Sequence, residues 1–131
     1  SEYSYTAKSG TCTDCKPVVF ISSCVDVTPK NEVDLEKAVA IGPVSVAIEA
    51  DTKTFQMYKS GVITGSACGT KLDHGVLVVG YGTESTTPYW LVKNSWGTSW
   101  GEDGYVKIEK SSSTNTDGTC GIAMQPSYPV V

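Results

Sequence analysis

Lys71-Leu72-Asp73-His74-Gly75-Val76-Leu77-Val78-Val79-Gly80-Tyr81-Gly82 and Tyr89-Trp90-Leu91-Val92-Lys93-Asn94-Ser95-Trp96-Gly97 decide how this chain is read. Each sets an apolar run beside one chemically capable side chain. His74 is the only histidine in 131 residues and stands at the mouth of the first run. Asn94 closes the second. The apolar run 76–79, bounded by glycines, predicts a strand buried on both faces. Residues 89–92 predict the next strand, after a polar loop at 83–88.

Outward from this pair the pattern stays mostly β. Val44-Ser45-Val46-Ala47-Ile48 and Gly104-Tyr105-Val106-Lys107-Ile108-Glu109-Lys110 alternate as half-buried strands do. Residues 31–40 give the only convincing helix: Asn31 is an N-cap, acids fill the first turn, and Gly42-Pro43 stops it. Its apolar side is Val33, Leu35, Ala38 and Val39. Residues 1–24 read as irregular with one apolar run, Val18-Val19-Phe20-Ile21, and 111–119 as a polar surface loop. The expected class is α+β, mostly β: an antiparallel, barrel-like sheet with one flanking helix, in a single domain over residues 1–131.

Composition narrows the function. Apolar residues make up 40% and charged ones 18%, so the chain is globular rather than disordered. A net charge of −4 with scattered lysines gives no basic stripe for nucleic acid. No apolar run approaches a membrane span. Ser1-Glu2-Tyr3-Ser4-Tyr5 is polar, unlike a signal peptide, and reads as the interior of something longer. No Asn-x-Ser/Thr sequon occurs.

Five cysteines suit an oxidising compartment. Cys12-Thr13-Asp14-Cys15 has no second pair and a single histidine elsewhere, so neither zinc nor any other metal or cofactor is expected. No βαβ pattern surrounds it to make a thioredoxin-type site. The odd count leaves one cysteine free or bonded outside this chain.

Singly, His74 reads as a hydrogen-bonded structural histidine, Asn94 as a strand end, and Trp90, Trp96 and Trp100 as core. Jointly they say more. A working imidazole needs an acceptor on its second nitrogen to fix the tautomer and hold the cation. Asn94 offers one, and flanking tryptophans exclude water from that bond.

The joint pattern resembles the C-terminal half of a papain-like cysteine peptidase, in the style of the cathepsin L and plant vacuolar branch. The resemblance runs from Tyr3 onward through Gly42-Pro43-Val44-Ser45-Val46-Ala47-Ile48, Leu72-Asp73-His74-Gly75, Gly80-Tyr81-Gly82 and Lys93-Asn94-Ser95-Trp96-Gly97. It continues in Trp100-Gly101-Glu102-Asp103-Gly104-Tyr105, Cys120-Gly121-Ile122-Ala123 and Ser127-Tyr128-Pro129.

The resemblance implies the β-rich, right-hand domain of a two-domain enzyme with the active site between the halves. His74 and Asn94 match the catalytic histidine and asparagine. Trp96 matches the tryptophan shielding their bond, Trp100 supports the site, and Asp73 matches the acid that tunes it. Cys68 and Cys120 match a disulfide within this domain, and Cys12 matches a cysteine reaching across to the other. Cys15 and Cys24 have no counterpart and are expected to pair locally. Ala47, Leu72 and Gly75 match the walls of the dominant substrate pocket and Gln125 its floor, which implies a hydrophobic side chain such as Leu or Phe there.

The departure is the nucleophile. No CGSCW-like segment exists here, nor the glutamine of the oxyanion hole. The expectation is a chain inactive alone, whose partner is an N-terminal chain or segment carrying the catalytic cysteine. It would act on polypeptide substrates and meet prosegment or cystatin-like inhibitors, in a lysosome, a vacuole or outside the cell. The competing readings are a non-catalytic module that binds peptides or inhibitors, or a variant with serine for the nucleophile. The cleft face around His74, Trp96 and Trp100, without its partner, is expected to make the isolated chain poorly soluble or loosely packed.

Overall fold

The computed structural model describes residues 3–131. In chain order the elements are β1 (Ser23–Asp26), α1 (Glu32–Ile41), β2 (Val44–Ile48), α2 (Lys53–Gln56), β3 (Val62–Ile63), β4 (His74–Glu84), β5 (Thr87–Lys93), β6 (Tyr105–Glu109) and β7 (Ser127–Val130). The seven strands form one sheet in the order β1-β7-β2-β4-β5-β6-β3. This is the expected mostly-β, α+β class. The described ladders are antiparallel except at one edge, where β3 runs parallel to β6. A long connection separates those two strands in sequence, so a hairpin rule could not pair them.

Alternation positions the strands. In β2, Val44, Val46 and Ile48 point into the core, while Ser45 is exposed and Ala47 half-buried. In β6, Val106 and Ile108 are fully buried between half-buried neighbours. Strand β4 departs from the expectation of burial on both faces. Val76 and Val78 are buried, but Leu77 and Val79 are only half-buried. Two causes act. The ladder to β5 shifts register between Val78 and Gly80, so Val79 is the extra residue of a bulge. Leu77 lies on the open face of the sheet, where it lines a surface cavity with Ser45 and Gly75.

Helix α1 begins as its sequence dictates. The Asn31 side chain accepts from the Asp34 N–H at 3.0 Å. Leu35, Ala38 and Val39 are buried. Val33 is half-buried, and the fourth buried position belongs instead to Glu32. Its carboxylate accepts from Trp90 Nε1 at 2.8 Å, from the Ser111 N–H at 3.0 Å and from the Ser111 hydroxyl. A carboxylate this deep needs such donors, because burying it unpaired is very costly. The polar loop after β6 is therefore anchored at its first residue.

A second, short helix was not expected. Thr52 caps α2 by accepting from the Phe55 N–H at 3.3 Å, and Phe55 is fully buried. Tertiary packing explains so short a helix, since four residues carry little intrinsic helical stability. Residues 3–22 form neither helix nor strand and are exposed, including the run 18–21. Cys68 and Cys120 are disulfide-bonded. Cys12, Cys15 and Cys24 are free and exposed, which corrects the expected local pairing of Cys15 with Cys24. Cys24 lies in β1, where pairing with β7 sets its position, while Cys15 lies in the irregular stretch.

Candidate active site

His74 is the first residue of β4 and sits opposite Ile48, the last residue of β2. Asn94 directly follows β5, and its N–H donates to the Gly104 carbonyl at 3.0 Å. Two neighbouring strand ends thus bring the pair together. His74 Nε2 lies 2.8 Å from Asn94 Oδ1. The same Oδ1 accepts from the Ser95 N–H at 2.8 Å. An atom that accepts from a backbone N–H is an oxygen, so Nε2 must carry the proton it shares with Asn94. The Nδ1 lone pair is then left as the base.

An aromatic stack covers the pair. The Trp96 ring lies 5.1 Å from the His74 ring, centre to centre, at 31°. Phe55 meets Trp96 edge-on at 5.5 Å, and Trp100 packs 5.2 Å from both. Trp100 Nε1 donates to the Gln56 carbonyl at 3.0 Å, tying the stack to α2. Asn94 is buried and Trp96 remains 39% exposed, so the hydrogen bond is shielded while the outer ring faces solvent. Phe55 escaped the sequence reading. One aromatic in a polar stretch carries no periodic signal, and only the fold brings it beneath two tryptophans.

Beneath the stack lies a charged knot that was also missed. Glu102 accepts from the Tyr58 hydroxyl at 2.9 Å and the Gly61 N–H at 3.1 Å, and pairs with Lys107 at 3.0 Å. Lys107 pairs in addition with Glu84 at 2.8 Å. Burial, helped by Glu102, pushes the Tyr58 hydroxyl up to about 12. Burial acts to raise the Glu102 carboxyl, but hydrogen bonds from Lys107, Tyr58 and Gly61 outweigh it and hold the group below its ordinary value. Hydrogen bonds to Glu84 and Glu102 hold the Lys107 ammonium above its ordinary value. Gly101 permits the turn: at φ +59°, an added Cβ would lie 2.5 Å from the Tyr105 carbonyl oxygen.

Of the expected pocket residues, Ala47 and Gly75 adjoin His74 and are direct partners across β2 and β4. Asp73 turns away from the imidazole toward β2: its carboxylate accepts from the Ala50 N–H at 2.8 Å. Leu72 is half-buried beside Gly121, where an added Cβ would meet it at 2.7 Å. Gln125 is exposed and lines a cavity of about 420 Å³ with Asp26, Val27, Met124 and Ser127, apart from Ala47, Leu72 and Gly75. Ser45 of β2 pairs with Ser127, which begins β7 two residues after Gln125.

A second cavity of about 420 Å³ opens beside the pair, lined by Ser45, Gly75, Leu77, Lys93, Asn94 and Ser95 among others. The described residues put no thiol next to the imidazole by way of the sheet. Cys24 in β1 is three strand spacings from β4, about 14 Å. Among the described residues, no group of three His, Cys, Asp or Glu side chains is arranged to hold a metal.

The family model "Papain family cysteine protease" matches residues 1–130. The chain belongs to that family. It is 53% identical to cysteine proteinase EP-B 1 of Hordeum vulgare, over 98% of this chain and 36% of that protein. It is 52% identical to cysteine protease 1 of Oryza sativa subsp. japonica, over 98% of this chain and 27% of that protein. Among solved structures, the bromelain protease from Ananas comosus superposes with a TM-score of 0.87 at 42% identity, covering 98% of this chain and 60% of that one. The Amb a 11 cysteine protease, a ragweed pollen allergen, solved in its proform, gives 0.88 at 41%, covering 97% and 35%. The chain thus spans about a third of the length of these curated relatives.

Proposed function

We propose that this chain is the histidine- and asparagine-bearing half of a papain-family cysteine endopeptidase, a single domain over residues 1–131 that works against an N-terminal half supplying the cysteine. The observation that carries this reading is the oriented pair: His74 Nε2–H on Asn94 Oδ1, with Nδ1 left as base. In the assembled protein, His74 takes the proton of the incoming thiol, giving a thiolate–imidazolium pair. The thiolate attacks the scissile carbonyl, and His74 returns the proton to the leaving amine. Water then hydrolyses the acyl-enzyme with His74 as base. Asn94 holds the imidazole through both half-reactions, and Trp96 with Trp100 keeps water from their hydrogen bond. Asp73 adds a negative charge next in sequence to the base.

The substrate pocket of this reading is walled by Ala47, Leu72 and Gly75, and the resemblance gives Gln125 as its floor. Apolar walls favour Leu or Phe two places before the cut, each buried methylene adding about 0.8 kcal/mol. Gln125 carries no charge to hold Arg or Lys. The free, exposed Cys12 supports a disulfide to the N-terminal half. Polypeptide substrates, a prosegment and cystatin-like inhibitors are the partners this surface would meet. The Cys68–Cys120 disulfide supports a vacuole, lysosome or extracellular space as its location.

The test uses the native protein containing this chain. Its intact mass should reveal a further stretch or second chain of roughly 80 to 100 residues, about one domain. Alkylation of one thiol outside residues 1–131 should abolish peptide hydrolysis, and so should His74→Ala. A native protein that binds peptides without cutting them, or that carries serine at the nucleophile position, would establish the binding-module reading instead.

A further inference from the structure

The segment that leads into His74 is not held by its own strand. Residues 69–73 precede β4 and are tied, at every second residue, to the end of β2. The Gly69 N–H donates to Glu49 Oε1 at 3.2 Å, and the Lys71 N–H to Glu49 Oε2 at 2.5 Å. The Asp73 N–H donates to the Ile48 carbonyl at 3.0 Å, and the Asp73 carboxylate accepts from Ala50. Three amides spaced by two residues therefore face one way, as in a strand, but two of the three acceptors are the oxygens of one side chain.

Glu49 is itself held. Its own N–H donates to the Cys120 carbonyl at 2.9 Å, beside the disulfide. Gly69 lets the carboxylate approach: a Cβ there would lie 2.7 Å from Oε2 and 3.0 Å from Oε1. On the far side, Gly121 leaves room for Leu72. Leu72 is therefore fixed between a clamp on the preceding residue and a glycine seat.

We propose that Glu49 is a positioning residue for substrate selectivity, whose bidentate carboxylate sets the 69–73 loop and so places Leu72 as a pocket wall. The inference rests on the peptidase reading and deepens it. Only a carboxylate serves both amides. Glutamine has one acceptor oxygen and would turn an NH₂ donor toward the second N–H. The His74–Asn94 bond stands on strand ends and should survive the loss of the clamp.

The experiment compares Glu49→Gln and Gly69→Ala with the unmodified two-domain protein. The added methyl of Gly69→Ala displaces the end of a flexible side chain, so it should release the clamp without rebuilding the backbone. Peptide substrates with Leu and with Gly two places before the cut are assayed, together with amide hydrogen exchange. In both variants kcat/KM for the Leu substrate should fall about tenfold, carried by KM, with the Gly substrate and kcat unchanged within about twofold. Exchange at Gly69 and Lys71 should speed up by at least about tenfold, with the β4–β5 amides unchanged. An equal loss on both substrates, or a loss in kcat alone, overturns the selectivity role. Unchanged exchange at Gly69 and Lys71 in an active protein overturns the clamp. An unmodified protein that cleaves neither peptide overturns the peptidase reading and the selectivity role with it, and exchange then judges the clamp alone.

Discussion

At the scale of single residues, the site depends on which atom faces which. Asn94 Oδ1 receives two donors, the Ser95 N–H and His74 Nε2. Asn94→Ala should leave His74 free to rotate and lower kcat of the assembled protein by about 10³-fold or less, with KM changed far less, measured by steady-state hydrolysis. Adding His74→Ala should cost little beyond His74→Ala alone, because the two act as one unit. The Tyr58–Glu102–Lys107 knot gives a pH prediction at both ends of the scale. The Glu102 carboxyl is lowered in the fold, so its contribution is present above the ordinary value of 4.5 and is lost as pH falls through the lower folded value. The stability gap between the unmodified protein and Glu102→Gln, from urea melts, should therefore shrink below pH 4.5. Tyr58 is raised, so its contribution is whole below pH 10.0 and is lost on the way to about 12. Tyr58→Phe should remove that part of the alkaline loss.

At the scale of elements, β4 and β5 deliver His74 and Asn94, and what holds them lies at their ends. The Cys68–Cys120 disulfide spans 52 residues and closes the loop before β4 onto the segment before β7. Replacing both cysteines with serine should cost about 2–4 kcal/mol, through greater freedom of the unfolded chain, seen as a lower urea midpoint with a steeper slope as the freed chain exposes more surface. Helix α1 is fastened differently. Asn31 caps it, and Glu32 joins it to Trp90 on β5 and to Ser111. Glu32→Ala would leave the Trp90 indole N–H buried without an acceptor and would release the partly exposed Ser111 amide. That places it among the more damaging single changes in the chain.

At the scale of the whole molecule, the apolar surface is distributed unevenly. Val18, Val19, Phe20 and Ile21 are 57–100% exposed, and Ile41 and Val131 are at least 80% exposed. A cavity of about 550 Å³ lined by Ile41, Pro43, Leu77, Tyr128 and Val130 adjoins the open face beside Asn94. So much uncovered apolar surface predicts that residues 1–131 expressed alone will aggregate or bind hydrophobic dyes, while co-expression with the N-terminal half restores solubility. A monodisperse isolated chain with a cooperative melt and no dye binding would contradict this. It would point to a self-sufficient module.

By itself the sequence determined whatever is written locally. The α1 helix with its Asn31 cap and the alternation of β2 and β6 were legible there. Each rests on residues near one another in the chain, where periodicity and capping chemistry act directly. The family resemblance added the Cys68–Cys120 pairing, which spacing could not have provided. Only the tertiary structure decided the rest. Strand β3 joins β6 in parallel across more than 40 residues, and Phe55 slides under Trp96 and Trp100. Glu32, which the sequence offers as a first-turn acid, becomes a buried hub, and Glu49 accepts from two amides some 20 residues away. Leu77 faces outward although its run reads as buried, because a hydrophobic run does not say which of its faces this chain covers. These outcomes depend on contacts between residues far apart in sequence, where the free energy comes from packing and from satisfying buried polar groups. No local pattern records such contacts.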